Sequence, residues 1–441
     1  MDDARTTSPA AFPGAGRALA LLLAINLFNY IDRYILAAVE PLIADHFFAA
    51  GDANAMAKTG SLATAFLVSY MLLAPVFGAL ADRFSRWVLI AAGVGVWSLA
   101  SGWSGAATAF GMLMLTRVFV GVGEAAYGPA APTIIADLFP VEKRGRMLSF
   151  FYLAIPVGSA IGYAFGGFVG KEFGWRWPFY LVTIPGLILA AFCLAMRDPR
   201  GAAKAGGKKP ALKLADVRSL FRIPSYVFNC AAMTAMTFAS GGMSFWLPRY
   251  LFKDRAADFG GAPDLGTINL TFGIITCAAG LLATLSGGWA GDRLRGRFPS
   301  AYFLVSGGGV ILAFPFTVLM LHVPFPGAWV LVFLAIFFLF FNTGPSNAAL
   351  ANVSPPAIRA TAFAINILLI HALGDAISPP LIGWIAGRSG MNTAFLVVSA
   401  MMLVAGVFWL IGARYLGRDT AAAESRGEHP TPNIQHPTSN D

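Results

Sequence analysis

The chain has 441 residues, of which 57% are hydrophobic before its 48 glycines are counted, and only 12% are charged. Soluble domains carry about 25% charged residues, and a soluble protein of this size cannot hide so much apolar surface. The composition excludes a soluble enzyme, a disordered chain and a secreted disulfide scaffold, and it indicates a polytopic α-helical membrane protein. The three cysteines, Cys193, Cys230 and Cys277, all lie in apolar stretches. So odd and sparse a set argues against disulfides and against a metal cage. The net charge of +9 has a plain explanation in such a protein, because basic residues crowd the cytoplasmic loops; no nucleic acid is needed.

A membrane-crossing helix needs about 20 mostly apolar residues. Stretches of that kind fall at 19–39, 60–81, 87–106, 109–136, 148–170, 176–196, 225–248, 267–290, 301–322, 327–349, 360–386 and 391–415. They are numbered here as spans 1 to 12. Several contain proline, such as Pro75, Pro156 and Pro379-Pro380, which membrane helices tolerate because neighbours satisfy the freed backbone. Residues 1–18 and the first span together read as an uncleaved first helix behind a short N-terminus. Residues 197–224 form the longest link and divide the spans into bundles at 19–196 and 225–415. Residues 416–441 read as a polar, disordered tail. An even number of spans puts both termini on one side. Lys and Arg number 22 on that side and 7 on the other, which places both termini in the cytoplasm.

The two halves echo each other. After span 2 the chain reads Gly78-Ala-Leu-Ala-Asp82-Arg83-Phe-Ser-Arg86, and after span 8 Gly288-Trp-Ala-Gly-Asp292-Arg293. After span 4 comes Pro140 with Arg144 and Arg146, and after span 10 Pro355 with Arg359. Asp82 and Asp292 are 210 residues apart, Arg144 and Arg359 215. Two matches in register argue for an internal repeat. Secondary transporters are often built from repeated halves, with substrate bound between them near the midplane. Gly78 would let two helices approach closely. Asp82, Arg83, Arg86, Arg146, Asp292 and Arg293 would form a conformational latch on the cytoplasmic side, with Asp82 against the N-terminus of a neighbouring helix, where the dipole favours it.

The Gly78–Arg86 stretch resembles the loop motif between helices 2 and 3 of the major facilitator superfamily, and its partial copy at Gly288 fits that superfamily too. The resemblance covers about 15–415. It implies an all-α membrane protein with twelve transmembrane helices in two pseudo-symmetric six-helix bundles. More narrowly, Asn29-Tyr30-Ile31-Asp32-Arg33-Tyr34 and Arg117-Val-Phe-Val-Gly121-Val-Gly123-Glu124-Ala-Ala-Tyr127-Gly128-Pro129 look like the spinster family. That likeness implies transport of sphingosine phosphate or lysophospholipid. Anion symporters of the same superfamily carry a similar first helix, so a small organic anion, a carboxylate or sugar acid, stays open as the substrate.

Ionisable residues inside a span cost about 2.5–3.5 kcal/mol each on insertion scales and mark a pathway. Those present are Asp32, Arg33, Arg117, Glu124, His371 and Asp375. With the termini inside, Asp32, Arg33 and Arg117 lie in the outer halves of spans 1 and 4. Glu124 lies seven residues beyond Arg117, about 10 Å deeper and on the same face. In the functional reading Arg33 and Arg117 attract an anionic head group, Asn29 and Tyr127 extend the polar wall, and Asp32 or Glu124 carries a proton. In the structural reading these residues merely pair, Asp32 with Arg117 or Arg33 with Glu124. His371 and Asp375 are one turn apart and form a gate or a local pair. Asn342 and Ser346, also one turn apart, contact substrate or bond across helices.

The apolar, Phe-rich run Phe337-Phe338-Leu-Phe340-Phe341 would give a greasy wall opposite the polar one, suited to an amphipathic substrate; for most of those Phe residues ordinary lipid-facing surface is the better reading. No phosphate-binding Gly-rich loop with Lys-Ser/Thr occurs, so the expected energy source is a proton gradient, with no cofactor and no metal. The expectation is a monomeric, non-enzymatic transporter in a bacterial inner membrane, with a lipid or organic anion, protons and membrane lipids as its partners.

Overall fold

The computed structural model describes residues 14–199, 214–355 and 358–427. It is all-helical, with no strand among the described residues. Twelve spans run in the predicted order. They are Ala15–Phe47, Ala55–Arg83, Arg86–Gly105, Phe110–Leu138, Val141–Phe173, Trp177–Leu194, Pro224–Arg249, Leu265–Arg295, Ala301–Met320, Ala328–Val353, Arg359–Ser389 and Met391–Gly427. Several exceed their apolar stretches, because 33 residues make a helix of about 50 Å while the hydrocarbon layer is about 30 Å thick. Eleven are both long and apolar enough to cross a membrane. Span 7 is long enough but carries more polar groups. It sits inside its bundle, where those groups are satisfied: Asn229 donates to the Ser346 carbonyl at 3.2 Å and accepts from the Trp409 indole at 2.8 Å.

Three spans are interrupted. Span 4 breaks between Tyr127 and Ala130, where Pro129 has no N–H to continue the ladder. Span 10 breaks between Phe340 and Thr343. Gly128 and Asn342 are 214 residues apart, inside the repeat offset, so the two breaks occupy equivalent places in the two bundles. Span 11 carries a π-helical turn at His371–Asp375, a feature frequent at functional sites.

The expected tail is corrected at its start. The last helix continues to Gly427 instead of ending near 415, so of the expected tail 428–441 lie outside the described residues, as do 1–13 of the expected N-terminus and 200–213 of the expected linker. The extension has a physical cause. Asp419 accepts from the Ser225 backbone N–H at 3.0 Å and the Ser225 hydroxyl at 2.6 Å. It thereby caps the open start of span 7.

The bundles meet along spans 2 and 11, spans 5 and 8, and spans 1 and 7. Small residues make the seam tight. A Cβ on Gly60 would come within 2.6 Å of the Pro379 backbone, and one on Gly387 within 2.0 Å of the Ala53 carbonyl. The described polar bonds between bundles all lie toward the face opposite the termini. They include Glu40–Arg249 at 3.0 Å, Asp45–Lys253 at 2.6 Å, Asn54–Arg388 at 3.0 Å and Lys171–Asp264. Lys171 and the Thr267 N–H hold the Asp264 carboxyl below its ordinary range, so that bridge persists until a falling pH passes the lowered value. The bundles are thus closed together at the face opposite the termini. On the terminal side Arg86 binds Asp137 and Asp198, Asp292 binds Tyr302 and Arg295 meets Glu424, each within one bundle or its adjoining link.

Gly60→Val drives a side chain into backbone that cannot yield. It is expected to weaken the closed form by about 1–3 kcal/mol, roughly 5- to 150-fold in population. Labelling of a cysteine placed at Ala63 would rise accordingly, in a chain without its native cysteines and with an impermeant maleimide added at the face opposite the termini. Unchanged labelling contradicts this account of the seam.

Candidate functional site

Between the bundles lies a cavity of about 140 Å³. A water needs about 10–15 Å³ on this measure, so the space holds several waters or a compact polar group. Arg33, Arg117 and Glu124 line it from the first bundle, and Ser244, Phe245 and Asp375 from the second.

Span 1 presents Arg33 and span 4 presents Glu124. Arg33 Nη2 lies 2.6 Å from Glu124 Oε2, with the carboxylate side chain 2% exposed and the arginine 28%. The guanidinium plane rests over Phe66 at 4.7 Å and Tyr30 at 5.1 Å, two cation–π contacts that fix its direction. The other carboxylate oxygen, Glu124 Oε1, has no hydrogen-bond partner in the protein. Gly121 makes this arrangement possible, since a Cβ there would meet the Phe66 carbonyl at 2.3 Å and push span 2, with Phe66, away.

Asp32 and Arg117 are organised differently. Asp32 is buried and accepts from the Ser101 hydroxyl at 2.6 Å. Arg117 donates to Ser104 and lies over the Phe179 ring at 5.1 Å. The two charges act on each other through space, with Ser101 and Ser104, one turn apart on span 3, as their direct partners. Asp32 Oδ1, Arg33 Nε and Arg117 Nε have no hydrogen-bond partner in the protein. Of the two pairings open in the sequence, the direct one is Arg33 with Glu124. Ser101 and Ser104 were missed; two serines one turn apart in an apolar span, at the depth of the buried charges, were the available signal.

On the facing wall, His371 Nδ1 lies 3.0 Å from both Asp375 oxygens. The π turn carries this pair, and Asp375 borders the cavity. The Thr64 hydroxyl donates to the Ala376 carbonyl at 2.5 Å, tying the end of that turn to the opposite bundle.

Four proposed contact residues lie elsewhere. Asn29 is buried on span 1, outside the cavity lining. Tyr127 donates to the Leu22 carbonyl at 2.8 Å and packs near Trp97 and Phe151. It joins spans 1 and 4 instead of lining the cavity, because its hydroxyl finds a carbonyl on the terminal side. Asn342 and Ser346 are fully buried in the second bundle. They face each other at 3.5 Å, and the Asn342 amide donates to the Leu339 carbonyl. These bonds satisfy the helix break.

The latch set is also resolved in place. Arg86 is its centre, buried and bound to Asp137 at 2.7 Å and Asp198 at 2.6 Å. Asp292 accepts from Tyr302 at 2.8 Å, and Arg293 lies over Trp289. Arg146 lies over Phe150, and Asp82 and Arg83 are exposed. A Cβ on Gly78 would approach nothing closer than 3.8 Å, so the expected tight helix approach at Gly78 is absent here. In this conformation Arg86 and Asp292 serve their own halves and do not bridge them. Glu40 was missed altogether. Near the end of an apolar stretch it reads as an ordinary end-of-helix acid, yet its side chain is 0% exposed against Arg249.

Two interlocked six-helix bundles around a charged central cavity are the architecture of a membrane transporter built from repeated halves. The model of the Major Facilitator Superfamily matches residues 22–374. Protein spinster homolog 1 of Homo sapiens is 39% identical over 425 residues, covering 90% of this chain and 79% of the relative. The Sphingosine-1-phosphate transporter SPNS2 of Mus musculus is 35% identical over 436 residues, covering 92% and 78%. The chain belongs to the Major Facilitator Superfamily and, within it, to the spinster family. A crystal structure of a bacterial homolog to the human lysosomal transporter spinster superposes with a TM-score of 0.78 at 20% identity, over 93% of this chain and 99% of that one; at that identity the likeness speaks for the fold.

Removing one partner of a buried ion pair costs about 3–5 kcal/mol, because the other charge is stranded. Arg33→Ala is therefore expected to lower thermal stability more than Arg33→Ala combined with Glu124→Gln. Thermal unfolding in detergent, run as a double-mutant cycle, reads the difference; additive losses would mean that the pair is not coupled.

Proposed function

We propose that this spinster-family transporter carries an anionic amphipathic lipid, a lysophospholipid or sphingosine-phosphate-like molecule, by proton-coupled alternating access across a bacterial inner membrane, with both termini cytoplasmic. The observation that carries the proposal is the Arg33–Glu124 pair at the wall of the cavity between the bundles. A phosphate group offers Arg33 a bidentate partner of higher charge than a carboxylate. When it takes Arg33, Glu124 loses its partner. A buried, uncompensated carboxylate is costly and accepts a proton instead. Head-group binding and proton uptake then become one event, which is what coupling requires. Arg117, held by Ser104 and Phe179, adds positive potential along the same wall.

In this orientation the closed seam faces outward, so the conformation is closed to the outside. The mouse relative's printed activity, sphingosine-1-phosphate transport, supports the phosphate head group. The greasy wall for a lipid tail is expected along Phe337, Phe338 and Phe341, whose rings meet edge-on or tilted at 5.2–6.3 Å.

Proteoliposomes with labelled lysolipid test this. Flux should rise with an imposed pH gradient, and Glu124→Gln should lose the gradient dependence, lowering driven flux by about two orders of magnitude, as expected when an essential proton-transfer group is removed. Flux that still follows the gradient removes Glu124 from the mechanism. Folded protein that moves no lipid at any pH points to the small organic anion instead.

A further inference from the structure

A second titratable cluster lies apart from the central cavity, at the outer seam. Glu40, on span 1, is fully buried. Its Oε1 accepts from the Thr59 hydroxyl of span 2 at 2.6 Å, and Arg249 Nη1 approaches its two oxygens at 3.2 and 3.0 Å. Arg249 ends span 7, in the other bundle. Span 7 then runs into a π-helical turn, Tyr250–Asp254, which places Asp254 about one turn beyond Arg249. Asp254 is exposed and acts electrostatically on both Arg249 and Glu40. The remaining charges nearby are taken: Lys253 pairs with Asp45 at 2.6 Å, and Lys58 with Asp52 at 3.0 Å.

We propose that Glu40, Arg249 and Asp254 form a second proton site, an outer gate whose arginine exchanges between a carboxylate of the facing bundle and one of its own. With both acids ionised, Arg249 bridges the bundles through Glu40 and the outer side stays shut. A proton from the outer water binds a Glu40 oxygen and forms an O–H bond. The cluster passes from a net charge of −1 to 0, and Arg249 turns to Asp254. The bridge between bundles is then gone. Protonation removes the charge that Arg249 answers across the seam, and opening separates the same two groups, so outer acidity favours opening. The inference rests on the orientation and alternating access argued above, but not on the role of Glu124 or on the substrate.

The two carboxylates should act with opposite signs, which a merely structural ion-pair network would not give. Spin labels at Ala50 and Ala262, both exposed on the outer side, report the separation of the bundles in nanodiscs when all three native cysteines are replaced by alanine. The unaltered cluster should show a growing long-distance population as pH falls. Glu40→Gln should show that population already at neutral pH and respond little to acid. Asp254→Asn should stay short until the pH is about one unit lower, tenfold in proton concentration. Glu40→Asp, which keeps a titrating group, should retain a pH response; it stands in if Glu40→Gln does not fold. The proposal is overturned if the Glu40 variants keep the unaltered response, or if Glu40→Gln and Asp254→Asn shift it in the same direction. Because the readout needs no transport, it stands or falls separately from the lysolipid flux experiment.

Discussion

The structure turns on one ion pair held away from water. Glu124, 2% exposed, meets Arg33 at 2.6 Å across spans 1 and 4. Neither charge tolerates that depth alone, since an ion in the bilayer interior must be paired or reach water. The helices around the pair are shaped to allow it. Gly121 lets span 2 come close enough for Phe66 to lie under the guanidinium. Span 3 supplies Ser101 and Ser104 for the second pair of charges. A phosphate that displaces Glu124 from Arg33 disturbs the one contact on which these arrangements converge.

The seam between bundles is the second constraint. Between the cavity and the outer side the halves are joined by small residues and by polar bridges, while the terminal-side bonds of Arg86 and Asp292 stay within their own halves. Arg86 binds Asp137 and Asp198, and Asp292 binds Tyr302. Such a molecule holds its closed side by contacts that must all be given up for the other conformation. The π turn at His371–Asp375 lies where the seam meets the cavity, and Thr64 ties its end across the interface. A change felt at the cavity wall is thereby placed next to a contact that closes the outer face.

Much of this was legible in the sequence. Twelve apolar stretches, the 210–215 offset and the charges inside spans 1 and 4 follow from hydropathy, spacing and the cost of burying charge. The break in span 4 at Gly128-Pro129 is not read from the sequence, where 109–136 passes as one continuous span. What escaped is non-local or two-valued. Glu40 gains its meaning only from Arg249, 209 residues later. Tyr127 could turn its hydroxyl to the cavity or to a backbone carbonyl, and periodicity does not distinguish the two. Asn342 and Ser346 carried the right polarity for a binding wall but are needed to satisfy a broken helix. The polar stretch after 415 read as a tail because helix N-capping by Asp419, 194 residues from Ser225, leaves no local trace.

The most direct test of the central claim is proton exchange on substrate binding. Purified protein in weakly buffered detergent, mixed with lysolipid bearing a phosphate head group, should take up about one proton per molecule as Glu124 is released from Arg33, and Glu124→Gln should take up none. Saturable lipid binding with no proton exchange, or the same exchange in the variant, would contradict the coupling of head group and proton at this pair.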